Sequence, residues 1–211
     1  MRIAVPRGRL NRPSWDWLQQ AGLPVQAPAG RQLWTEAGGV EAVEVRGRDM
    51  PQLLADGVVD AAIVGRDVLE EADLPVACVL PLHFGHCRLV AAVPRGRPLS
   101  AGRPWRVATR YPHITRQWMA ARGYSGEIVT MSGAVEAACW LGLADAVVDV
   151  VETGATLAAN GLWAVDTVMQ SAATLSAPLS RADAVREWIE QWMPERRAPA
   201  CRGRAAVPTI G

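Results

Sequence analysis

Asp149 and the run Glu152-Thr153-Gly154-Ala155-Thr156 are the residues of this chain best suited, by type and spacing, to chemistry. An apolar run, Ala146 to Val148, ends in the acid Asp149, small polar residues follow, and a helical pattern begins at Leu157. That order reads as a strand feeding a phosphate loop feeding a helix. The backbone N–H groups of such a loop and the N-terminus of the helix together attract an anion. Acids beside the loop accept hydrogen bonds from sugar hydroxyls or help place a metal ion. A site with both halves suits a sugar phosphate better than free phosphate. Thr-Gly-x-Thr alone also fits an ordinary strand-to-helix connection; the preceding apolar run and the two flanking acids favour the site.

The second chemical signal is arginine. All 22 basic residues are arginine and lysine is absent. Any positive charge the chemistry needs is therefore a fixed guanidinium, suited to bidentate phosphate contacts and unable to form a Schiff base. Arg7-Gly8-Arg9, Arg46-Gly47-Arg48 and Gly65-Arg66 each follow an apolar run that reads as a strand. Open α/β sheets bind ligands at the carboxyl ends of their strands, so these turns can share one edge. Each also fits a solvated turn. His83 and His86 flank Phe84-Gly85 ahead of Cys87, a spacing that matches no standard metal site. The four cysteines show no metal-ligand pattern either and fit a reducing compartment.

A net charge of +1 implies no nucleic-acid partner. The start, MRIAVPRGRL, has too short an apolar run for a signal peptide, and no stretch approaches a membrane span, so a cytoplasmic protein is expected.

The elements that must position these residues alternate. Strands are expected at 3–5, 40–45, 58–64, 76–80, 88–93, 106–109, 127–131 and 146–148. Helices are expected after Ser14 and after Asp49, with both acting as caps, then as a short helix following Gly65-Arg66-Asp67, and at 114–122 and 134–141. Ser180-Arg181-Ala182-Asp183 reads as a capping box before a helix whose Val185, Trp188, Ile189, Trp192 and Met193 share one face. The alternation implies an α/β fold with a mostly parallel sheet covered on both faces. The Pro/Gly/Arg-rich stretch 94–104 is the expected boundary. Lobe I then comprises 1–93 plus 176–193, lobe II comprises 94–175, and 194–211 is a flexible tail.

These pieces resemble the catalytic subunit of the ATP phosphoribosyltransferase family over 1–193. Glu136, Gly142, Ala144, Val147, Asp149, Thr153, Gly154, Thr156 and Leu157 match the family signature in order and spacing. Pro6 to Arg9, Arg46 to Asp49, Val64 to Leu69, Cys87 to Val90, Ala108 to Pro112 and Ala159 to Leu162 also match.

The resemblance implies two lobes of mixed, mostly parallel sheet with flanking helices, like the type II periplasmic binding proteins. It implies that N1 of ATP attacks 5-phosphoribosyl 1-pyrophosphate, with Mg²⁺, releasing pyrophosphate in the first step of histidine biosynthesis. Asp149, Glu152, Thr153, Gly154, Ala155 and Thr156 would bind the phosphoribosyl donor. Arg9 and Arg31 would be catalytic, stabilising charge on the leaving pyrophosphate, and would bind ATP with Arg48 and Arg88. No protein metal ligand is implied. The family often has lysine where this chain has Arg7, Arg66, His86 and Arg110, and a basic residue where it has Ala155. The length resembles the short form, whose catalytic subunits are dimeric and pair with a histidyl-tRNA-synthetase-like regulatory subunit. Weak histidine inhibition of the chain alone is then expected. Two readings compete: a phosphoribosyltransferase acting on a free base, which typically has two adjacent acids where this chain has Asp149-Val150, and a two-lobed small-molecule-binding module.

Overall fold

The computed structural model describes residues 1–98 and 102–193. They form two compact units, one of 1–69, 74–85 and the chain from 172 onward, the other of 70–73 and 86–171.

The first unit is built on β1 (Arg2–Pro6), β2 (Trp34–Ala37), β3 (Val40–Val45), β4 (Ala61–Gly65), β5 (Val76–Pro81) and a late strand from 173 to 178, in the spatial order β2-β3-β1-β4-late strand-β5. Helices α1 (Asn11–Gln20), α2 (Met50–Ala55) and α3 (Arg66–Ala72) join its early strands. β4, Ala-Ala-Ile-Val-Gly, is buried at every position, as a central strand covered on both faces must be. β1 runs parallel to both β3 and β4, with Pro6 opposite Val45 and Ile3 opposite Ala61. The carboxyl ends of these three strands therefore lie on one edge.

The second unit contains β6 (Cys87–Pro94), β7 (Trp105–Thr109), α4 (Pro112–Ala121), β8 (Gly126–Thr130), α5 (Ala137–Trp140), β9 (Ala146–Val151), α6 (Ala155–Ala159) and β10 (Leu162–Ser171), with sheet order β10-β6-β9-β7-β8. The chain then returns to the first unit as β11 (Ala173–Pro178) and α7 (Ala182–Trp192). Val185 and Ile189 of α7 join the same core as Trp15 and Leu18 of α1, with Trp188, Trp192 and Met193 packed against it, as their helical spacing requires. Burying such side chains contributes about 1.5–3 kcal/mol each. Trp105 and Trp118 anchor one core of the second unit, while Trp34, Trp140 and Trp163 are exposed.

Several expectations are corrected. The sheets are mixed, as expected, but parallel pairing is not the majority: β1–β3, β1–β4, β7–β8 and β7–β9 are parallel and the other pairings antiparallel. Parallel pairing is thus confined to the strands joined by helical crossovers. The chain divides at Gly85/His86 and Ser171/Ala172, so β6 belongs to the second unit. The stretch after Pro94 connects β6 and β7 of one sheet, and its composition marks a loop rather than a boundary. The tail at 194–211 lies outside the described residues.

Ser14 does not cap α1. The helix starts at Asn11, which places Pro13 in its first turn, and the Ser14 hydroxyl donates back to the Leu10 carbonyl at 2.6 Å. Asp49 precedes α2 as expected but makes no side-chain capping bond. Ser180 lies in a 3₁₀ turn, Leu179–Arg181, so the capping box is absent; Arg181 instead pairs with Asp60. No helix among the described residues is long and apolar enough to cross a membrane.

Candidate active site

In the first unit the arginine turns gather where the sheet rule places a ligand. Arg7 to Arg9 follow β1 and Arg46 to Arg48 follow β3, with Arg66 at the end of β4. Since β3, β1 and β4 are parallel neighbours, all three turns lie along one edge. Arg31 joins them: two residues beyond it, the Leu33 carbonyl accepts the Glu44 N–H at 2.6 Å, beside the carboxyl end of β3. Arg9, Arg31 and Arg48 are all exposed. A row of guanidinium groups at the ends of parallel strands is an anion-binding edge.

The turn carrying Arg9 is held by residues the sequence reading passed over. Asn11 Nδ2 donates to the Pro6 carbonyl at 3.0 Å and to Glu44 Oε1 at 2.8 Å, and Trp15 Nε1 donates to the same Glu44 oxygen at 2.9 Å. Glu44 thereby ties β3 to the start of α1. Its signal is present in the sequence: Glu41 keeps to the polar side of the strand's alternation, whereas Glu44 falls on the side of Val40 and Ala42. Arg9 Nη1 also donates to the Gly85 carbonyl at 3.3 Å. Gly85 has φ of +69°, so backbone shape calls for glycine there, while a Cβ would meet the movable end of the Leu10 side chain.

In the second unit the loop at 152–156 leaves β9 and enters α6. Glu152, Thr153, Ala155 and Thr156 are exposed, whereas Leu157 is buried in the core beneath and pins the helix. Gly154 takes φ of +86°, which a side chain opposes, although a Cβ would meet only Val151 Cγ1, at 3.9 Å. Conformation, not space, is what reserves that position for glycine. The Ala155 N–H points toward Thr153 Oγ1 at 3.4 Å, closing the turn. The first N–H groups of a helix have no partner within it, so this loop presents donors and hydroxyls together.

Asp149 is 5 % exposed and faces Val90 across the β6–β9 pairing. Its Oδ1 accepts from Arg110 Nη2 at 2.7 Å, from Arg110 Nε at 3.2 Å and from the Val150 N–H at 2.8 Å. Burial disfavours the Arg110 charge, but the hydrogen bond and the charges of Asp149, Tyr111 and Glu136 outweigh it, and its pKa lies above the ordinary arginine value. Arg88, expected on the nucleotide side with Arg9, lies in this second unit instead, opposite Val151 at the start of the loop. The structure thus brings Arg88, Asp149 and Glu152 to Thr156 to one sheet edge, and Arg9, Arg31 and Arg48 to the edge of the other sheet.

The model of the family described as HisG: ATP phosphoribosyltransferase matches residues 46–195. An ATP phosphoribosyltransferase of Deinococcus radiodurans is 44 % identical over 177 residues, which cover 83 % of this chain and 79 % of that one. One from Deinococcus deserti is 42 % identical over 196 residues, 90 % of each chain. Among solved structures, a chain of the ATP phosphoribosyl transferase (HisG:HisZ) complex from Thermotoga maritima superposes with a TM-score of 0.80 at 28 % identity, over 92 % of this chain and 95 % of that one. The periplasmic aliphatic sulphonate binding protein SsuA from Escherichia coli superposes at 0.59 with 15 % identity, covering 92 % of this chain and 70 % of the other, a likeness of fold alone.

Proposed function

The chain belongs to the ATP phosphoribosyltransferase family, and we propose how its residues carry out the reaction. It is a pentosyltransferase of the first step of histidine biosynthesis. The bond formed joins adenine N1 of ATP to C1 of the ribose 5-phosphate, and the bond broken is C1–O to the departing pyrophosphate. Adenine N1 already carries a lone pair, so no general base is needed. In-line positioning and stabilisation of the leaving group supply the rate.

The loop Glu152 to Thr156 holds the ribosyl donor. Its backbone N–H groups and the hydroxyls of Thr153 and Thr156 take the 5-phosphate, while Glu152 and Asp149, acceptors only when ionised, take ribose hydroxyls. With Ala155 offering no charge, Arg88 at the same edge is the cation that complements the donor's phosphates. Arg9, Arg31 and Arg48 hold the nucleotide's phosphates, and Arg9 and Arg31 oppose the charge that gathers as pyrophosphate leaves. The observation that carries this reading is the junction of β9 with α6. There the buried acid Asp149, the left-handed Gly154 and the pinned Leu157 stand in the order a sugar-phosphate site requires.

Mg²⁺ fits this donor set as a companion of the substrate. Among the described residues no group of three His, Cys, Asp or Glu is placed to hold a metal ion. Mg²⁺ commonly sits on substrate phosphates with one or two carboxylates, and Glu152 and Asp149 are the acids flanking the loop. When bound, it would neutralise pyrophosphate charge.

The partner proposed is a regulatory subunit resembling histidyl-tRNA synthetase, with the catalytic chains dimeric. The likeness to a chain solved in a HisG:HisZ complex supports it. The reaction takes place in the cytoplasm on this reading. Incubating the chain with ATP, phosphoribosyl pyrophosphate and Mg²⁺, with and without that subunit, tests the proposal. Pyrophosphate and phosphoribosyl-ATP are the expected products, and the absence of both in either mixture contradicts it.

A further inference from the structure

The pairing of Arg110 with Asp149 is not used by the reaction outlined above, yet everything around it is fixed. Thr109, the last residue of β7, is fully buried. Its hydroxyl donates to the Val148 carbonyl at 2.7 Å and accepts from the Tyr111 N–H at 2.9 Å and the Thr115 hydroxyl at 3.2 Å. Thr115 is also fully buried, so this hydroxyl chain locks the carboxyl end of β7 to β9 and to α4. The next residue is Arg110, so its starting point is set relative to β9.

From there its guanidinium places two N–H groups on one oxygen of Asp149, and the Val150 N–H donates to that oxygen too. Three hydrogen bonds converge on Oδ1 and none of these reaches Oδ2. The Asp149 side chain keeps 7 % of its surface exposed to solvent. It does so three residues before the loop at 152–156 begins.

We propose that Arg110 is a positioning residue for the ribosyl donor. By holding Oδ1 it fixes the Asp149 carboxylate in one orientation, so that Oδ2 is presented as the acceptor for a ribose hydroxyl. It also anchors the end of β9 from which the loop departs. The planar fork of arginine suits this task better than an ammonium, because two N–H groups meet one oxygen in a defined plane. The inference rests on the reading of Glu152 to Thr156 as the donor site.

The test uses the full chain with its regulatory subunit and compares Arg110→Met, Arg110→Lys, Asp149→Asn and Arg110→Met/Asp149→Asn. Losing a charge-assisted pair raises the donor KM on the order of tenfold in Arg110→Met. The ATP KM and kcat at saturating donor change little. Arg110→Lys recovers part of the loss. The double variant is little worse than Asp149→Asn alone, because Arg110 acts through Asp149. A wild-type donor KM in Arg110→Met beside a raised one in Asp149→Asn overturns the proposal and leaves the donor site standing. Wild-type donor KM in Asp149→Asn and in Glu152→Gln removes the donor site itself, and the proposal with it. Equal rises in donor and ATP KM across both Arg110 variants indicate a folding role and also overturn it.

Discussion

Arg88 stands directly opposite Val151 in the antiparallel pairing of β6 with β9, one residue from the start of the loop at 152–156. The residues opposite each other on such a pair have Cβ atoms about 4.5–5.5 Å apart, so the arginine is attached to the loop's own strand. On this relationship we propose Arg88 for the ribosyl donor rather than for the nucleotide. Replacing it with alanine is expected to raise the donor KM about tenfold, the worth of a charge-assisted phosphate contact, and to leave the ATP KM nearly unchanged. Steady-state kinetics with each substrate varied in turn decide it; a selective rise in the ATP KM returns Arg88 to the nucleotide.

Arg31 and Arg9 carry a different expectation. If they oppose charge that develops only as pyrophosphate leaves, Arg31→Ala lowers kcat by about a hundredfold, more than it raises either KM. Arg9→Lys keeps the charge but loses the fork, so only part of the activity should survive. A change confined to KM indicates ground-state binding alone.

Gly154→Ala tests the loop's backbone. A residue with a Cβ at φ of +86° costs about 1–2 kcal/mol in the left-handed region, unless the loop relaxes and withdraws its N–H groups. Either response weakens donor binding. Calorimetric titration with phosphoribosyl pyrophosphate is expected to show reduced affinity with ATP binding intact. Unaltered donor affinity shows that the left-handed turn is not needed.

How much of this was legible in the sequence depends on distance along the chain. The β9–loop–α6 order could be read because strand, acid, glycine and helix follow one another within a dozen residues. The common edge of the arginine turns could only be suspected, because it follows from the register of Pro6 with Val45, residues far apart in sequence. The pairing of Arg110 with Asp149 was hidden for the same reason. β11 was missed because it buries Thr174 and Ser176, which broke the apolar signal. Thr174 donates to the Val64 carbonyl at 3.0 Å and lies 2.9 Å from the Ser176 hydroxyl, so the buried polar groups are satisfied. β10 escaped because two register shifts, at Ala164/Asp166 and Thr167/Met169, interrupt its alternation. Ser14 and Ser180 carry the residue type of a cap, but type does not fix where a helix begins; Asp49 does stand at the start of α2, without a side-chain capping bond.

Cys139 gives a pH-dependent expectation. Burial, and then the nearby charge of Asp145, push its thiol from about 9 up to about 11 against the opposing effect of Arg97. The folded pKa lies above the unfolded one. The stability it contributes is therefore fully present below about pH 9 and is lost as pH rises toward about 11. Thermal melts across that window should fall more steeply for the wild type than for Cys139→Ala. Parallel curves contradict the burial of this thiol.

The central claim is that the loop after β9 holds the ribosyl donor. The most direct measurement is equilibrium binding of phosphoribosyl pyrophosphate and, separately, of ATP to the wild type and to Thr156→Ala/Glu152→Ala. The account expects donor affinity to fall on the order of a hundredfold, as two polar contacts of about 1.5 kcal/mol each are lost, with ATP affinity preserved. Unchanged donor affinity in a folded double variant would contradict it.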